Sequence, residues 1–235
     1  MPFRINENVL NSVRNYHTDL NNILYSIMNK ILPEKNLYIS PNFALYALIS
    51  ENVRMNFNYL LFLNIEYDIF DFIGMHRNIR CSIETYYDLF NLTCDKDYLS
   101  LMKYYSFKEN INLENLQIKY SKYLRYKFLT IQNKAEIAKE NGLEDSIDSM
   151  LTEFRKTSNT YIHTDLFRKP KSIIEKDFEL QQLIKFDCFL LTEAYYILLK
   201  CCKFFSKDEI QIDPYENLEH LQNILEFYDK FIIIY

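Results

Sequence analysis
Apolar residues recur at steps of three and four along most of this chain. Val9, Val13, Tyr16, Leu20, Ile23, Ile27 and Ile31 form the first such stripe. That spacing lines one side of an α-helix. It predicts a helix over 6–32, capped by Asn6 or Asn8 and ended by Pro33. Ser40-Pro41 opens the next helix, with a capping hydroxyl and a proline in the first helical position. Its pattern meets no strong breaker before Gly74. A single helix of that length is out of place in a compact domain, so a break is expected between Asn52 and Asp68.

The stretch Asp71 to Leu92, DFIGMHRNIRCSIETYYDLFNL, predicts a helix that runs to about Thr93. Beyond it, helices are expected from Asp95 or Asp97 to Tyr105 and from Asn112 to about Glu140, where Asn141-Gly142 supplies a stop. Another is expected from Glu144 to Ile162 on Ile147, Leu151 and Phe154, then Ser172 to Phe205 and Tyr215 to Ile233. No period-two strand stands out. The pattern predicts an all-α fold: an antiparallel bundle of seven to eight helices with extra N-terminal helices, in one domain over 1–235.

Composition sharpens this picture in three places. With 2 glycines and 5 prolines among 235 residues, a hairpin-rich β fold and phosphate-cradling glycine loops are both disfavoured. The net charge of -5 speaks against nonspecific nucleic-acid binding over the whole surface, so any such role needs a local basic site. Five cysteines without a C-x-x-C pair read as buried thiols in a reducing cytoplasm rather than as disulfides or a zinc site. The start, MPFRINENVL, has no apolar signal core, and the apolar runs YLLFL and FIIIY are too short to span a membrane. No metal site and no cofactor are expected. The histidines His17, His76, His163 and His220 are scattered, and His76 reads as a surface or boundary position.

Three stretches can carry chemistry. On the Asp71–Leu92 helix, Arg77, Arg80, Glu84, Asp88 and Asn91 share one narrow sector opposite Ile79, Ile83, Tyr86 and Phe90. Such a stripe is either a solvated face with an Arg80–Glu84 pair or a groove wall where arginines grip phosphate and Glu84 orients them. The solvated face is the simpler reading. The second stretch, FRKTSNTYIHT, sets Arg155 and His163 about two turns apart near a helix end. There His163 either caps the last carbonyls or moves protons near neutral pH. The third, KYSKYLRYK, alternates Lys119, Lys122 and Arg125 with tyrosines, and Lys134 follows. It grips single strands by charge and stacking, or it sets Tyr120, Tyr123 and Phe128 in the core with the cations solvated.

The pattern R-x-x-R-x-x-x-E followed by S-x-x-Y-I-H-T resembles the HEPN-type helical bundles, including abortive-infection-like bacterial proteins, over about 68–205. The resemblance implies a metal-independent endoribonuclease or RNA-binding effector, of the kind found among bacterial toxins and anti-phage defence proteins. It implies catalytic Arg155 and His163, phosphate binding by Arg77 and Arg80, orientation by Glu84, and a homodimer with a shared cleft. In this chain seven residues separate Arg155 from His163, and Lys156 replaces the polar residue that follows the arginine in the family. The other reading is a non-catalytic helical interaction module, a scaffold or regulatory subunit that binds a protein partner. It predicts that Arg77, Arg80 and Glu84 are taken up in internal pairs. A tyrosine-lined ligand pocket between helices is a third.

Overall fold
A computed structural model describes residues 69–95, 97–107 and 113–162, the pairs 3–4 and 66–67, and single positions between 7 and 51. The described part is all-α. Five helices follow in order: α1 Ile69–Cys94, α2 Tyr98–Phe107, α3 Leu113–Leu124, α4 Ile131–Glu140 and α5 Asp145–Ile162. Among the described residues the extended pairing is confined to β1 Phe3–Arg4 and β2 Glu66–Tyr67, antiparallel with Phe3 opposite Tyr67. Two residues a side do not change the class. The extended β2 falls in the window where the sequence calls for a break, and Gly74 lies inside α1.

The ends of these helices follow from local chemistry. Thr130 caps α4: its hydroxyl accepts from the Asn133 N–H, and the Asn133 side chain accepts from the Thr130 N–H. At the other end the Gly142 N–H donates to Lys139 O and the Leu143 N–H to Ala138 O. Gly142 holds φ at +94°, the left-handed value a glycine adopts without strain. The stop predicted at Asn141-Gly142 is therefore present. The single helix predicted from Asn112 to Glu140 is two, because Thr130 starts a new helix after a turn at 125–130. No glycine or proline marks that turn, so the T-x-x-N cap was its one local signal.

The first predicted helix is described at six positions, Glu7, Asn11, Arg14, Asn15, Thr18 and Asn22, all helical. All but the half-buried Arg14 are exposed, and the Thr18 hydroxyl bonds the Arg14 carbonyl one turn back. These are polar positions outside the apolar stripe, as an amphipathic helix requires. The helices expected at 172–205 and 215–233, and with them His17, His163, His220, Cys188, Cys201 and Cys202, lie outside the described residues.

Helix α1 is the hub. It packs most extensively on α5, then on α4, and also meets α2. Ile83, Tyr86, Tyr87, Leu89 and Leu92 are buried, joined by Tyr98, Leu101, Leu116, Tyr120, Tyr123, Ile137, Ala138 and Leu151. The tyrosines thus fill the core. Tyr86 meets Tyr87 edge-on and stacks on Phe90, at 6.1 Å and 6.5 Å between ring centres.

Candidate functional site
The charged stripe on α1 does not face solvent along its whole length. Arg77 is exposed and Arg80 and Glu84 are half-buried, but Asp88 and Asn91 are buried. From Ser82 to Thr93 α1 is covered almost all round. The sequence reading of a wet face is corrected here, and the reason lies on other helices. Lys134 of α4 places its amine 2.6 Å from Asp88 and 2.9 Å from Glu84. Glu84 thus pairs across to α4, not along its own helix to Arg80. The Tyr98 hydroxyl of α2 donates to Asp88 at 2.5 Å. Asn91 donates to the Lys134 carbonyl at 2.8 Å and accepts from the Asn141 side chain at 3.1 Å.

The same stripe continues one turn on. The buried Asp95 accepts from Lys119 of α3 at 2.5 Å, from the Tyr120 hydroxyl, and from the Asp97 N–H at 3.0 Å. Asp95 and Asp97 sit just before α2, where the sequence places its cap. Glu84, Asp88, Asn91 and Asp95 form a seam at helical spacing that ties α1 to α2, α3 and α4. Buried polar groups are rarely left unpaired, and Asp88, Asn91 and Asp95 each have partners here.

Charge in this seam is set by burial against pairing. Burial alone pushes the Lys134 ammonium down, but the carboxylates of Asp88 and Glu84 outweigh it and hold its pKa above the ordinary lysine value. Burial pushes the Asp88 carboxyl up, against the pull of Lys134 and Tyr98. Burial also raises the Tyr98 phenol, and the neighbouring Asp88 carboxylate adds to the effect.

A second seam joins α1 to α5. The His76 ring nitrogen Nδ1 lies 3.2 Å from the Ser158 hydroxyl, both residues buried. The Tyr87 hydroxyl donates to Asp148 at 3.1 Å, and Lys139 reaches the other oxygen of Asp148 at 3.1 Å. The order of these contacts makes α1 and α5 antiparallel. His76 is therefore an interior residue, not the surface or boundary position its sequence context suggested; Ser158 lies 82 residues away. The cysteine expectation is also corrected in part: Cys81 and Cys94 are exposed.

Arg155 is half-buried and follows Asp148 and Leu151 on the side of α5 that faces α1. Its charge acts on the Tyr87 phenol, whose pKa is raised first by burial and then by Asp148. Around α1, Tyr87 is in the sector next to Arg80. The structure therefore brings the Arg155 helix alongside the α1 stripe. His163 lies outside the described residues, so its distance to Arg155 does too.

The third stretch divides. Tyr120 and Tyr123 are buried, whereas Phe128 is exposed. Lys119 pairs with Asp95 and Asp97, Lys122 with Glu140, and Lys134 belongs to the seam. Arg125 lies over the Tyr126 ring and donates to its hydroxyl at 3.2 Å.

Among the described residues no three His, Cys, Asp or Glu side chains are grouped to hold a metal, and no helix is long and apolar enough to cross a membrane. No family model, curated protein or solved structure matches the chain. Sequence reasoning passed over Asp148, and it read Asp95 only as a cap, Lys134 only as part of a basic stretch and Ser158 only as part of a motif. Only their partners elsewhere in the chain give them a role.

Proposed function
We propose that this chain works by binding rather than by catalysis, as a helical interaction module within a single larger bundle. One observation carries the proposal. The carboxylate that would orient phosphate-gripping arginines, Glu84, is paired with Lys134, and its neighbours Asp88 and Asn91 are buried in the same seam. With Glu84 held by Lys134, the carboxylate that would orient Arg77 and Arg80 is engaged in helix packing, while the two arginines lie outside the seam. The test is incubation of the full chain with RNA in EDTA, comparing wild type, Arg155→Ala and His163→Ala. Intact RNA in all three is expected. Cleavage by wild type that both substitutions abolish would overturn the proposal.

A specific observation favours a second reading, the HEPN-like endoribonuclease acting as a cytoplasmic homodimer of defence-system type. Arg155 sits on the α1-facing side of α5, with its charge felt at Tyr87. Under this reading Arg155 and Arg80 hold the phosphate while His163 moves protons at the ribose 2′-hydroxyl and the leaving oxygen. The same cleavage assay decides between the two.

A further inference from the structure
The turn between α3 and α4 is the place where this surface breaks its own habits. Among the described residues Tyr86, Tyr87, Tyr98, Tyr120 and Tyr123 are buried, and Lys119, Lys122, Lys134 and Lys139 are matched to carboxylates. At 125–128 the chain reads Arg-Tyr-Lys-Phe, and all four residues are exposed. Tyr126 is 42% exposed and Phe128 64%. Arg125 sits 5.1 Å from the Tyr126 ring centre and Lys127 5.2 Å from that of Phe128. Among the described residues no carboxylate pairs with either cation. One short turn thus presents two rings and two positive charges, each charge beside a ring.

We infer that this turn is a docking point for a single-stranded nucleic acid, with bases stacking on Tyr126 and Phe128 and phosphates held by Arg125 and Lys127. Every base has a π-face, so exposed rings recognise an unpaired strand without reading its sequence. Cations beside those rings meet the phosphates that flank a stacked base. The other occupants of a basic aromatic surface fit less well. An anionic membrane surface is held by clusters of four or more cations or by a long apolar helix face, and this turn has two cations. An acidic peptide is matched by the cations alone and leaves the rings without a role. With a net charge of -5, attraction to phosphate has to be local, and this turn is such a locus.

The inference rests on the binding reading above and names its partner. The probe is a fluorescently labelled oligoadenylate, with its deoxy counterpart and phosphatidylserine vesicles as separate arms. Fluorescence anisotropy is recorded for wild type, the double variant Tyr126→Ala/Phe128→Ala, and the double variant Arg125→Gln/Lys127→Gln. Binding of either oligonucleotide is expected, and the two arms identify the sugar preferred. Loss of the rings should weaken it on the order of tenfold per ring. Loss of the cations should flatten the salt dependence by about 0.7 in logarithmic slope for each. Circular dichroism should be unchanged, since all four side chains are exposed. No binding by wild type, equal affinity in the variants, or vesicle binding that the same substitutions abolish would overturn the inference. Probe cleavage in EDTA, read on a gel, would overturn the non-catalytic reading alone and leave docking at the turn standing.

Discussion

Replacing Lys134 by methionine tests the central seam most directly. The substitution keeps an unbranched side chain, one atom shorter, and removes its charge. Lys134 and Asp88 are 11% and 9% exposed at their side chains. Without the ammonium, the Asp88 carboxylate stays inside α1's packing with the Tyr98 hydroxyl as its remaining described donor. Removing one partner of a buried pair costs about 3–5 kcal/mol, because the other is left as an uncompensated charge. Glu84, at 41% exposure, adds at most about 1 kcal/mol. Proton uptake by Asp88 limits the loss, so about 3 kcal/mol at neutral pH is expected. For a chain of this size that lowers Tm by about 6–12 °C. Chemical and thermal unfolding followed by circular dichroism measure it. A second variant, Lys134→Met with Asp88→Leu, should recover most of the loss, since a buried pair exchanged for apolar side chains is often neutral. Burial raises the Asp88 carboxyl, so the penalty in Lys134→Met should shrink as pH falls and Asp88 takes a proton. A single variant within about 1 kcal/mol of wild type, or a double variant no better than the single, would refute the reasoning.

Two other expectations concern the same architecture. Burial, reinforced by Asp148, Asp88 and Asp95 respectively, raises the phenols of Tyr87, Tyr98 and Tyr120, so the folded chain holds protons that the unfolded chain releases near pH ~10. Stability from these groups is complete below that value and falls as pH rises above it, and tyrosinate absorbance should grow in step with unfolding; these phenols titrating in the native state at the ordinary value would contradict it. Gly142→Ala should cost about 1–2 kcal/mol, because φ at +94° disfavours any side chain although nothing lies within 4 Å of the added Cβ; an unchanged denaturation midpoint would show that the α4–α5 corner does not need its left-handed residue.

What could be read from the sequence was local. The stretches that form α1, α2 and α5 follow from apolar periodicity, but the start of α1 could be placed only within a window, and Asn141-Gly142 announces its corner. The split between α3 and α4 went unread because its one local signal, the cap that Thr130 and Asn133 make at the start of α4, lies in a continuous helical pattern without glycine or proline. The candidate site shows the same boundary. The stripe on α1 was found, but its meaning depends on Lys134, which is 46 residues from Asp88. A stripe of charge looks the same from the sequence whether water or an ammonium covers it. The side of α5 that carries Arg155 could be placed by spacing, whereas the partners of Asp148 and Ser158 on α1 lie 61 and 82 residues off.

The double attachment of Lys134 has an evolutionary consequence. Its amine answers Asp88, but its backbone carbonyl answers Asn91. The first bond ties side-chain identities together: a lone change at 134 leaves Asp88 as an unmatched buried charge and also takes the ammonium from Glu84. The second bond asks nothing of the residue at 134, since every residue carries a carbonyl. Asn91 can therefore stay fixed while the charged couple beside it is exchanged, and a lineage that trades the ion pair for oil keeps the same helix register.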